Sequence, residues 1–407
     1  METKKRSLGT ESLIVHGPHF GKRENGPLVQ PIYASAPFQF KTAQNIADVM
    51  SGKIENACVY TRCGGNPNIV DLENRLALLE NGAGAIVTAS GMAAIAAVSM
   101  SFLQPTDNFV ACATAYGGTY ALFNEDLKRY FMSASFVSRQ DYNNPAAIES
   151  MIDGHTKFLY LETITNPVLD VIDIALWAEI AKKHKIPLIA DNTFATPYLL
   201  KPLDLGADIV VHSATKYING HGDVTAGAIV CKNLFDLEKI RKGYMNHFGP
   251  MLSPRDAYEI VRGLKSLHLR MEWFCRSAKR IAEWLREQEM VKKVYYPSLS
   301  NHPNHNIALK QMNGKFGGMV SFELEGGQEK AWRFIDHATA FINSVSLGDL
   351  ESLVTHPWST THAAYKDKDK IKAGITPGFI RLSIGAEHPD DLIVSLEGAL
   401  KKAYFRL

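Results

Sequence analysis

Short apolar runs that alternate with helical segments between about residues 85 and 232 constrain the fold more than any other feature. The runs read GAIVTAS, NFVACAT, ASFVS, KFLYLET, PLIADN, ADIVVHS and TAGAIVC. Runs that are apolar throughout and are separated by helices are typical of strands buried on both faces of a parallel sheet. The pattern therefore predicts an α/β protein with a mostly parallel sheet between helices.

Three regions of the chain differ in character. Residues 1–64 are rich in Pro, Gly and Asn, which predicts an irregular N-terminal arm without a core of its own. Residues 65–255 hold the apolar runs and form the predicted large, ligand-binding domain. Residues 256–407 carry VKKVYY, GGMVSFELEG and FIRLSIG as candidate strands, and they predict a smaller C-terminal α/β domain.

A helix start is visible near the boundary between the last two regions. Ser253 is a suitable N-cap, Pro254 suits the first helical position and Asp256 suits the first turn. Apolar residues then recur at helical spacing, so we expect one long amphipathic helix towards Glu289.

Composition narrows the class of partner. The 407 residues include 44 Lys+Arg and 42 Asp+Glu, a formal net charge of +2, and no basic block stands out. This balance argues against nucleic acid or an anionic membrane and favours a small-molecule partner. METKKRSLGTESL lacks the apolar region of a signal peptide, and no apolar stretch is long enough to span a bilayer, so we predict a cytoplasmic protein.

Cysteine and histidine spacing gives no metal signal. The five cysteines show no CxxC pair, and the 14 histidines show no HExxH pattern. We expect free thiols and no catalytic metal.

Polar residues directly after the apolar runs are the candidate site, because ligands of open α/β sheets bind beyond the carboxyl ends of the strands. After GAIVTAS, the backbone N–H groups of Gly91 and Met92 open a helix and are suited to an anion, although many such turns serve geometry alone. Asp191 follows a buried run, where a carboxylate needs a cation. A protonated ring nitrogen and an arginine are the two candidates.

Lys216 is the most unusual of these residues. It lies in HSATKYINGHGD among small side chains, with Ser213 and Thr215 beside it. Partial desolvation would lower the pKa of its amine and favour Schiff-base chemistry, while the two hydroxyls are suited to a phosphate. The alternative is a lysine that extends from a strand end into solvent.

Tyr116 completes the set. It follows the run NFVACAT and precedes Gly117 and Gly118, and its ring suits stacking on a planar ligand as well as core packing. A Schiff-base lysine, an acid for a ring nitrogen, a stacking aromatic ring and a phosphate turn together are what pyridoxal phosphate requires.

At these residues the chain resembles the fold-type I pyridoxal-phosphate enzymes of Cys/Met metabolism, a family that includes methionine γ-lyases, cystathionine γ-lyases and cystathionine γ-synthases. The resemblance runs from about Val29 to the C-terminal helix, on the motifs NPNIVDLENRLALLE, SGMAAI, LETITNP, DNTFATP, SATKYINGHGD, SLGDLESL and FIRLSIG. It implies a seven-stranded sheet in the large domain, pyridoxal 5'-phosphate as the cofactor and a homo-oligomer, at least a dimer and mostly a tetramer in the family.

The resemblance also implies roles for individual residues. Lys216 would bind the cofactor covalently, Asp191 would pair with its ring nitrogen, Tyr116 would stack on the ring and Asn166 would bond the ring hydroxyl. The phosphate would be held by Gly91, Met92, Ser213 and Thr215, and by Tyr60 and Arg62 of a neighbouring subunit. Arg381 and Ser346 would anchor the substrate carboxylate, and a surface arginine at a strand end is the alternative for Arg381.

The implied activity is α,γ-elimination from a sulfur amino acid, in which Lys216 moves the α-proton and Tyr116 protonates the leaving sulfur. Val345 stands where cystathionine γ-lyases tend to have an acid, which favours methionine or homocysteine. Gly118 stands where many methionine γ-lyases have cysteine, which argues against methionine. A γ-replacement transferase of the cystathionine γ-synthase or O-acetylhomoserine sulfhydrylase type and a catalytically silent regulatory subunit are the alternatives.

Overall fold

A computed structural model describes residues 8–19, 26–54, 57–363 and 365–405, so the start of METKKRSLGTESL lies outside the described residues. The strands in these ranges are β1 (Gly84–Thr88), β2 (Asn108–Cys112), β3 (Ser133–Val137), β4 (Thr156–Glu162), β5 (Leu188–Asp191), β6 (Ile209–His212), β7 (Gly227–Cys231), β8 (Val291–Tyr295), β9 (Met319–Leu324), β10 (Ile342–Asn343), β11 (Leu353–Thr355) and β12 (Phe379–Ser383). The helices are α1 (Thr10–His16), α2 (Ala43–Met50), α3 (Pro67–Leu79), α4 (Gly91–Phe102), α5 (Gly117–Ala121), α6 (Pro145–Glu149), α7 (Ile174–His184), α8 (Thr196–Leu199), α9 (Leu234–Ile240), α10 (Asn246–Phe248), α11 (Pro254–Leu264), α12 (Leu267–Arg286), α13 (His305–Gln311), α14 (Gly327–His337), α15 (Asp367–Lys372) and α16 (Pro389–Tyr404).

The seven predicted runs form one seven-stranded sheet in the order β1-β7-β6-β5-β4-β2-β3. Strands β6, β5, β4, β2 and β3 all run parallel to one another. Strand β7 is antiparallel to both of its neighbours, β1 and β6. Alternate residues of a strand face opposite sides, and here both sides are covered: Leu159 packs in one core cluster, whereas Phe158 and Tyr160 pack in another. The predicted fold class is confirmed, because burial on both faces is what makes these strands apolar throughout.

Several predicted runs extend one or two residues past the observed strand. The extra residues include Ser90, Asn192 and Ser213, which follow β1, β5 and β6. Strand pairing ends there, and the carboxyl ends of the parallel strands meet at one edge of the sheet. The same edge collects the polar residues of the candidate site.

The predicted helix from Ser253 towards Glu289 is correct at its start and wrong in its continuity. The Ser253 side chain accepts a hydrogen bond from the Asp256 N–H at 3.1 Å, as expected of an N-cap. The helix then breaks after Leu264, and a second helix begins at Leu267.

A close contact and a buried arginine explain the break. A Cβ on Gly263 would lie 2.1 Å from the Asn219 carbonyl oxygen, so α11 lies directly against the segment after Lys216. Arg270 of α12 donates to the carbonyl oxygens of Tyr217 at 2.6 Å and Gly263 at 2.9 Å. At the break, the Gly263 carbonyl oxygen accepts from the Ser266 N–H at 3.2 Å and the Ser266 hydroxyl at 3.0 Å as well as from Arg270.

The predicted arm is more ordered than expected. It contains α1 and α2, and Ile14 of α1 is fully buried in the core cluster that also holds residues of α3. The expectation of an irregular segment is therefore wrong for these two helices. The domain boundaries at residues 64 and 255 stay predictions.

A second sheet follows in the order β10-β11-β12-β9-β8. Its strand β12 pairs with β11 and β9 and carries Arg381 in the middle of the strand. Within the described ranges, no helix has both the length and the apolar character needed to cross a membrane.

Candidate active site

A cavity of about 300 Å³ lies at the carboxyl edge of the large sheet and extends to the second sheet. Most of the residues singled out in the sequence line it: Gly91, Met92, Tyr116, Asn166, Asp191, Ser213, Thr215, Lys216, Val345, Ser346 and Arg381. They come from distant parts of the chain, and the fold brings them together.

Tyr60 and Arg62 lie elsewhere. They line a separate open groove together with Ser35 and Gly249, and the Arg62 guanidinium stacks 5.7 Å from the centre of the Tyr60 ring while it donates to the Asn246 carbonyl. The structure therefore does not bring these two side chains to the cavity of their own chain.

Lys216 follows β6 in a short turn, and its amine donates to the Ser346 hydroxyl oxygen at 2.9 Å. Burial, and then the positive charge of Arg381, lower the pKa of this amine. The predicted desolvation is confirmed, and the alternative of a lysine extended into solvent is wrong.

Asp191 ends β5, and its carboxylate accepts the Thr193 N–H at 2.9 Å and the Tyr160 hydroxyl at 3.3 Å. Burial raises its pKa, and the bonds from Thr193 oppose that rise. The ion pairs of the described ranges do not include Asp191, so the alternative of a salt bridge to arginine is wrong for this part of the chain. A half-buried carboxylate in this state is a site for a cationic group.

Glu162 is a site residue that the sequence reasoning missed. It ends β4 next to Asp191 of β5, and its carboxylate accepts the backbone N–H groups of Tyr116 at 2.7 Å and Asn166 at 3.0 Å. Burial and then the charge of Asp191 raise its pKa well above the usual range. It holds the backbone of two predicted site residues, and its position directly after a buried run, like that of Asp191, was the available signal.

The turn before α4 is built for an anion. Ser90 caps the helix by accepting the Ala93 N–H at 3.1 Å, which leaves the N–H groups of Gly91 and Met92 without hydrogen-bond partners in the part of the chain that the structure describes. A Cβ on Gly91 would lie 2.8 Å from the Ser213 Cβ, so only glycine lets these two segments meet.

The hydroxyls of Ser213 and Thr215, which were predicted to hold a phosphate, differ in their hydrogen bonding. The Thr215 hydroxyl is engaged by the backbone of Ala226, from whose N–H it accepts at 2.8 Å and to whose carbonyl it donates at 3.2 Å. Ser213 lies against the helix turn itself. Of the two, Ser213 is the better placed donor to an anion at the turn.

Arg381 is 2% exposed, so the alternative of a surface arginine is wrong. It donates to Asn166 Oδ1 at 2.9 Å and to the carbonyl oxygens of Val345 at 3.2 Å and Ser346 at 3.1 Å. Its Nε has no hydrogen-bond partner among the described residues, and burial lowers its pKa to about 10. A buried cation at the cavity wall with a spare donor suits a carboxylate ligand.

Tyr116 stands at the start of α5 and is 44% exposed at the cavity. A Cβ on Gly117 would lie 2.1 Å from the Thr361 carbonyl oxygen, and one on Gly118 would lie 2.7 Å from the Tyr116 ring. The two glycines therefore let α5 pack against the later segment and leave the tyrosine ring its place.

These features fit pyridoxal phosphate. The buried Glu162 and the half-buried Asp191, which form no ion pair within the described residues, suit a protonated ring nitrogen. The turn before α4 suits a phosphate, and the desolvated Lys216 amine suits an aldehyde. In contrast, the described ranges hold no group of three or more His, Cys, Asp or Glu side chains arranged for a metal. The fold and the cavity define a pyridoxal-phosphate enzyme of fold type I.

The family follows from comparison with known proteins. The chain belongs to the Cys/Met metabolism PLP-dependent enzymes, whose family model matches residues 11–401. An L-methionine gamma-lyase of Fusobacterium nucleatum subsp. polymorphum is 43% identical over 406 residues, which cover 99% of this chain and 100% of the relative.

Two solved structures have the same fold over nearly the whole chain. A putative O-acetylhomoserine (thiol)-lyase from Campylobacter jejuni, with N'-pyridoxyl-lysine-5'-monophosphate, is 32% identical with a TM-score of 0.92 and covers 97% of this chain and 100% of its own. A cystathionine gamma-lyase from Lactobacillus plantarum complexed with L-serine is 37% identical with a TM-score of 0.90 and covers 97% of this chain and 99% of its own. The family, the cofactor and the carbon–sulfur lyase class expected from the sequence are confirmed.

Proposed function

We propose that the chain cleaves the Cγ–S bond of methionine or homocysteine by α,γ-elimination, giving a 2-oxo acid, ammonia and a thiol. The observation that carries the proposal is the Lys216 amine, which lies in the cavity 2.9 Å from the Ser346 hydroxyl, with the buried Arg381 guanidinium on the same wall. A base for the α-proton and an anchor for the α-carboxylate thus share one cavity.

The residues present fit the cofactor in the following way. Gly91, Met92 and Ser213 would hold its phosphate with N–H groups and a hydroxyl, with Thr215 at the edge of that site. Asp191 would pair with the ring nitrogen, Asn166 would face the ring hydroxyl and Tyr116 would stack on the ring. When bound to Lys216, the cofactor supplies an electron sink for the carbanion at Cα.

Substrate binding follows from the charges at the second sheet. The Arg381 guanidinium would bind the α-carboxylate together with Ser346, because a planar fork of N–H donors matches a carboxylate. Val345 is 61% exposed and lines the cavity, so it would face the distal end of the substrate. An apolar side chain there suits a methyl thioether better than the charged end of cystathionine.

Two side chains, Lys216 and Tyr116, would transfer the protons of the reaction. Because burial lowers the pKa of Lys216, its amine is available in the neutral form to take the α-proton and return it. Tyr116 is exposed to the cavity and would protonate the leaving sulfur. Glu162 would keep both Tyr116 and Asn166 in position through their backbone N–H groups.

The separate groove with Tyr60 and Arg62 supports a shared active site. In a homodimer these side chains would reach the phosphate of the neighbouring subunit, as the family resemblance implies. Apolar side chains of residues 26–54 are unusually exposed, with Leu28 at 99% and Met50 at 71%, which suits burial against a second copy. We infer a homo-oligomer, a dimer at least and a tetramer by family resemblance, and the cytoplasmic location stays a prediction.

A substrate panel tests the proposal. The purified protein is incubated with methionine, homocysteine, cystathionine and O-acetylhomoserine plus sulfide, and the thiol, 2-oxobutanoate and amino-acid products are measured. We expect 2-oxobutanoate and a thiol from methionine without added sulfide. Formation of homocysteine from O-acetylhomoserine and sulfide, with no oxo acid from methionine, would instead identify a γ-replacement transferase.

Val345→Glu tests the choice between methionine and cystathionine. We expect it to raise the ratio of kcat/KM for cystathionine over methionine by up to about fivefold, since an exposed ion pair with the distal amine contributes about 0.2–1 kcal/mol. Val345→Leu is the matched control, because it keeps the apolar character. An unchanged ratio in the glutamate variant would remove position 345 from the specificity argument.

A further inference from the structure

The segment Val345–Asp349 packs directly on the peptide that follows the Lys216 side chain. Gly348 has φ 82°, and a Cβ there would lie 2.7 Å from the Tyr217 nitrogen and 3.1 Å from the Lys216 carbonyl carbon. Only glycine permits both the left-handed backbone and this approach. The next residue, Asp349, is therefore held close to the lysine.

Asp349 is a buried carboxylate with an unfilled acceptor. It is 8% exposed, and its Oδ1 has no hydrogen-bond partner among the described residues. On one side it packs against the Lys216 loop, since a Cβ on Gly222 would lie 3.4 Å from its carboxylate carbon. An incompletely paired buried carboxylate is costly unless a cation lies nearby, and no part of the site as described so far uses it.

Ser346 lies three residues before Asp349 in the same segment, and its Oγ accepts from Lys216 Nζ at 2.9 Å, so its own proton is free to point elsewhere. Burial raises the pKa of Asp349, and the positive charge of Lys216 and then the Ser346 hydroxyl oppose that rise. Asp349 and Lys216 also act on each other through charge, each favouring the ionised form of the other.

Three other charged side chains act on Lys216 or Asp349. Arg381 opposes a positive charge on Lys216, whereas Glu351 and Asp223 oppose a negative charge on Asp349. Glu351 and Asp223 are both exposed, so solvent screens their charges more than that of Asp349.

We propose that Asp349 is a positioning residue for Lys216: it orients the Ser346 hydroxyl so that Oγ accepts from the lysine nitrogen. The inference rests on the proposed role of Lys216 as the cofactor lysine. It gives the lysine two opposed influences: burial and Arg381 favour the neutral amine that takes the α-proton, and Asp349 stabilises the cation that results.

The test is a pH titration of the holoenzyme by absorbance. The bond between the Lys216 nitrogen and the cofactor absorbs at about 420 nm while that nitrogen is protonated. In Asp349→Asn we expect the midpoint of the loss of this band to fall by about one pH unit, a tenfold loss of proton affinity. Asp349→Glu keeps the charge and should retain the wild-type midpoint within about 0.3 pH unit.

Glu351→Gln is the matched control, because it removes one negative charge from the same segment at an exposed position. We expect it to shift the midpoint by less than about 0.3 pH unit. An unshifted midpoint in Asp349→Asn, or an equal shift in Glu351→Gln, overturns the inference. If Asp349→Asn does not fold, as judged by circular dichroism, a shift of about one pH unit in Asp349→Glu overturns it.

The outcomes separate the two proposals. A wild-type holoprotein without the band at about 420 nm overturns the role of Lys216 and this inference with it. A normal wild-type band with an identical titration in Asp349→Asn overturns only the role of Asp349.

Discussion

Arg381 Nη1 donates to Asn166 Oδ1 at 2.9 Å, although the two residues stand 215 positions apart in the chain. The bond joins β12 of the second sheet to the loop that follows β4 of the first. The side chain proposed to anchor the substrate and the side chain proposed to face the cofactor ring are therefore fixed relative to each other. Substrate position and cofactor position depend on the same contact.

This contact predicts that Arg381→Lys weakens substrate binding even though the substitution keeps the positive charge. Lysine lacks the planar fork that bonds Asn166 and a carboxylate at the same time. We expect KM for methionine to rise about 10–100-fold, equivalent to about 1.5–3 kcal/mol for a hydrogen bond to a charged group. Steady-state kinetics measure it, with the exposed Arg280→Lys as a control, and an unchanged KM would contradict the assigned anchor.

The groove with Tyr60 and Arg62 predicts complementation between subunits. Arg62→Ala and Lys216→Ala are each expected to be inactive alone, but in a mixed dimer one of the two sites combines an intact Lys216 with an intact partner Arg62. Co-expression should restore about a quarter of wild-type activity, because half of the dimers are mixed and each has one intact site. No recovery in a verified mixed oligomer would show that Arg62 does not serve the neighbouring site.

The helix break predicts a structural role for Arg270. Arg270→Met removes the donor to the Tyr217 carbonyl oxygen, which costs about 1–3 kcal/mol when left unpaired, whereas the Gly263 carbonyl oxygen keeps its bonds from Ser266. We expect Tm to fall by about 5 °C. Lys279→Met on the same helix is exposed and should change Tm by about 1 °C or less. Equal effects of the two substitutions would contradict the role given to Arg270.

A buried histidine predicts part of the acid sensitivity. Burial lowers the pKa of His302 to about 4, from the usual value of about 6.5 for histidine. The neutral form is favoured by folding, so its stabilisation is complete above about pH 6.5 and is lost as the pH falls through about 4, up to about 3 kcal/mol. Tm of the wild type should therefore fall more steeply between these pH values than that of His302→Gln. Parallel pH profiles would assign the acid sensitivity to other groups.

The sequence was most informative where burial acts on every residue of a segment. Strands covered on both faces must be apolar throughout, so the seven runs and the order of secondary structure could be predicted. Lys216 and Asp191 could be predicted for the converse reason. A charge directly after such a run costs free energy unless a ligand or another charge pairs with it.

Features that depend on a contact between distant residues could not be predicted. The break after Leu264 follows from the approach of Gly263 to Asn219 and from the bonds of Arg270, none of which alters the helical spacing of the apolar residues. Glu162 was signalled only by its position at the end of a buried run, and Asp349 looks like an ordinary acid in the sequence. The packing of β4 beside β5 brings Glu162 to the cavity, and the contact of Gly348 with Lys216 brings Asp349 to the lysine loop.

The central claim is that Lys216 carries the cofactor, and borohydride reduction tests it most directly. Reduction of the holoprotein followed by proteolysis and mass spectrometry should find the pyridoxyl phosphate group on the peptide that contains Lys216. The label should disappear in Lys216→Ala and persist in Lys315→Ala, a lysine paired with Glu272 outside the cavity. A label on any other lysine, or a holoprotein with no label at Lys216, would contradict the account.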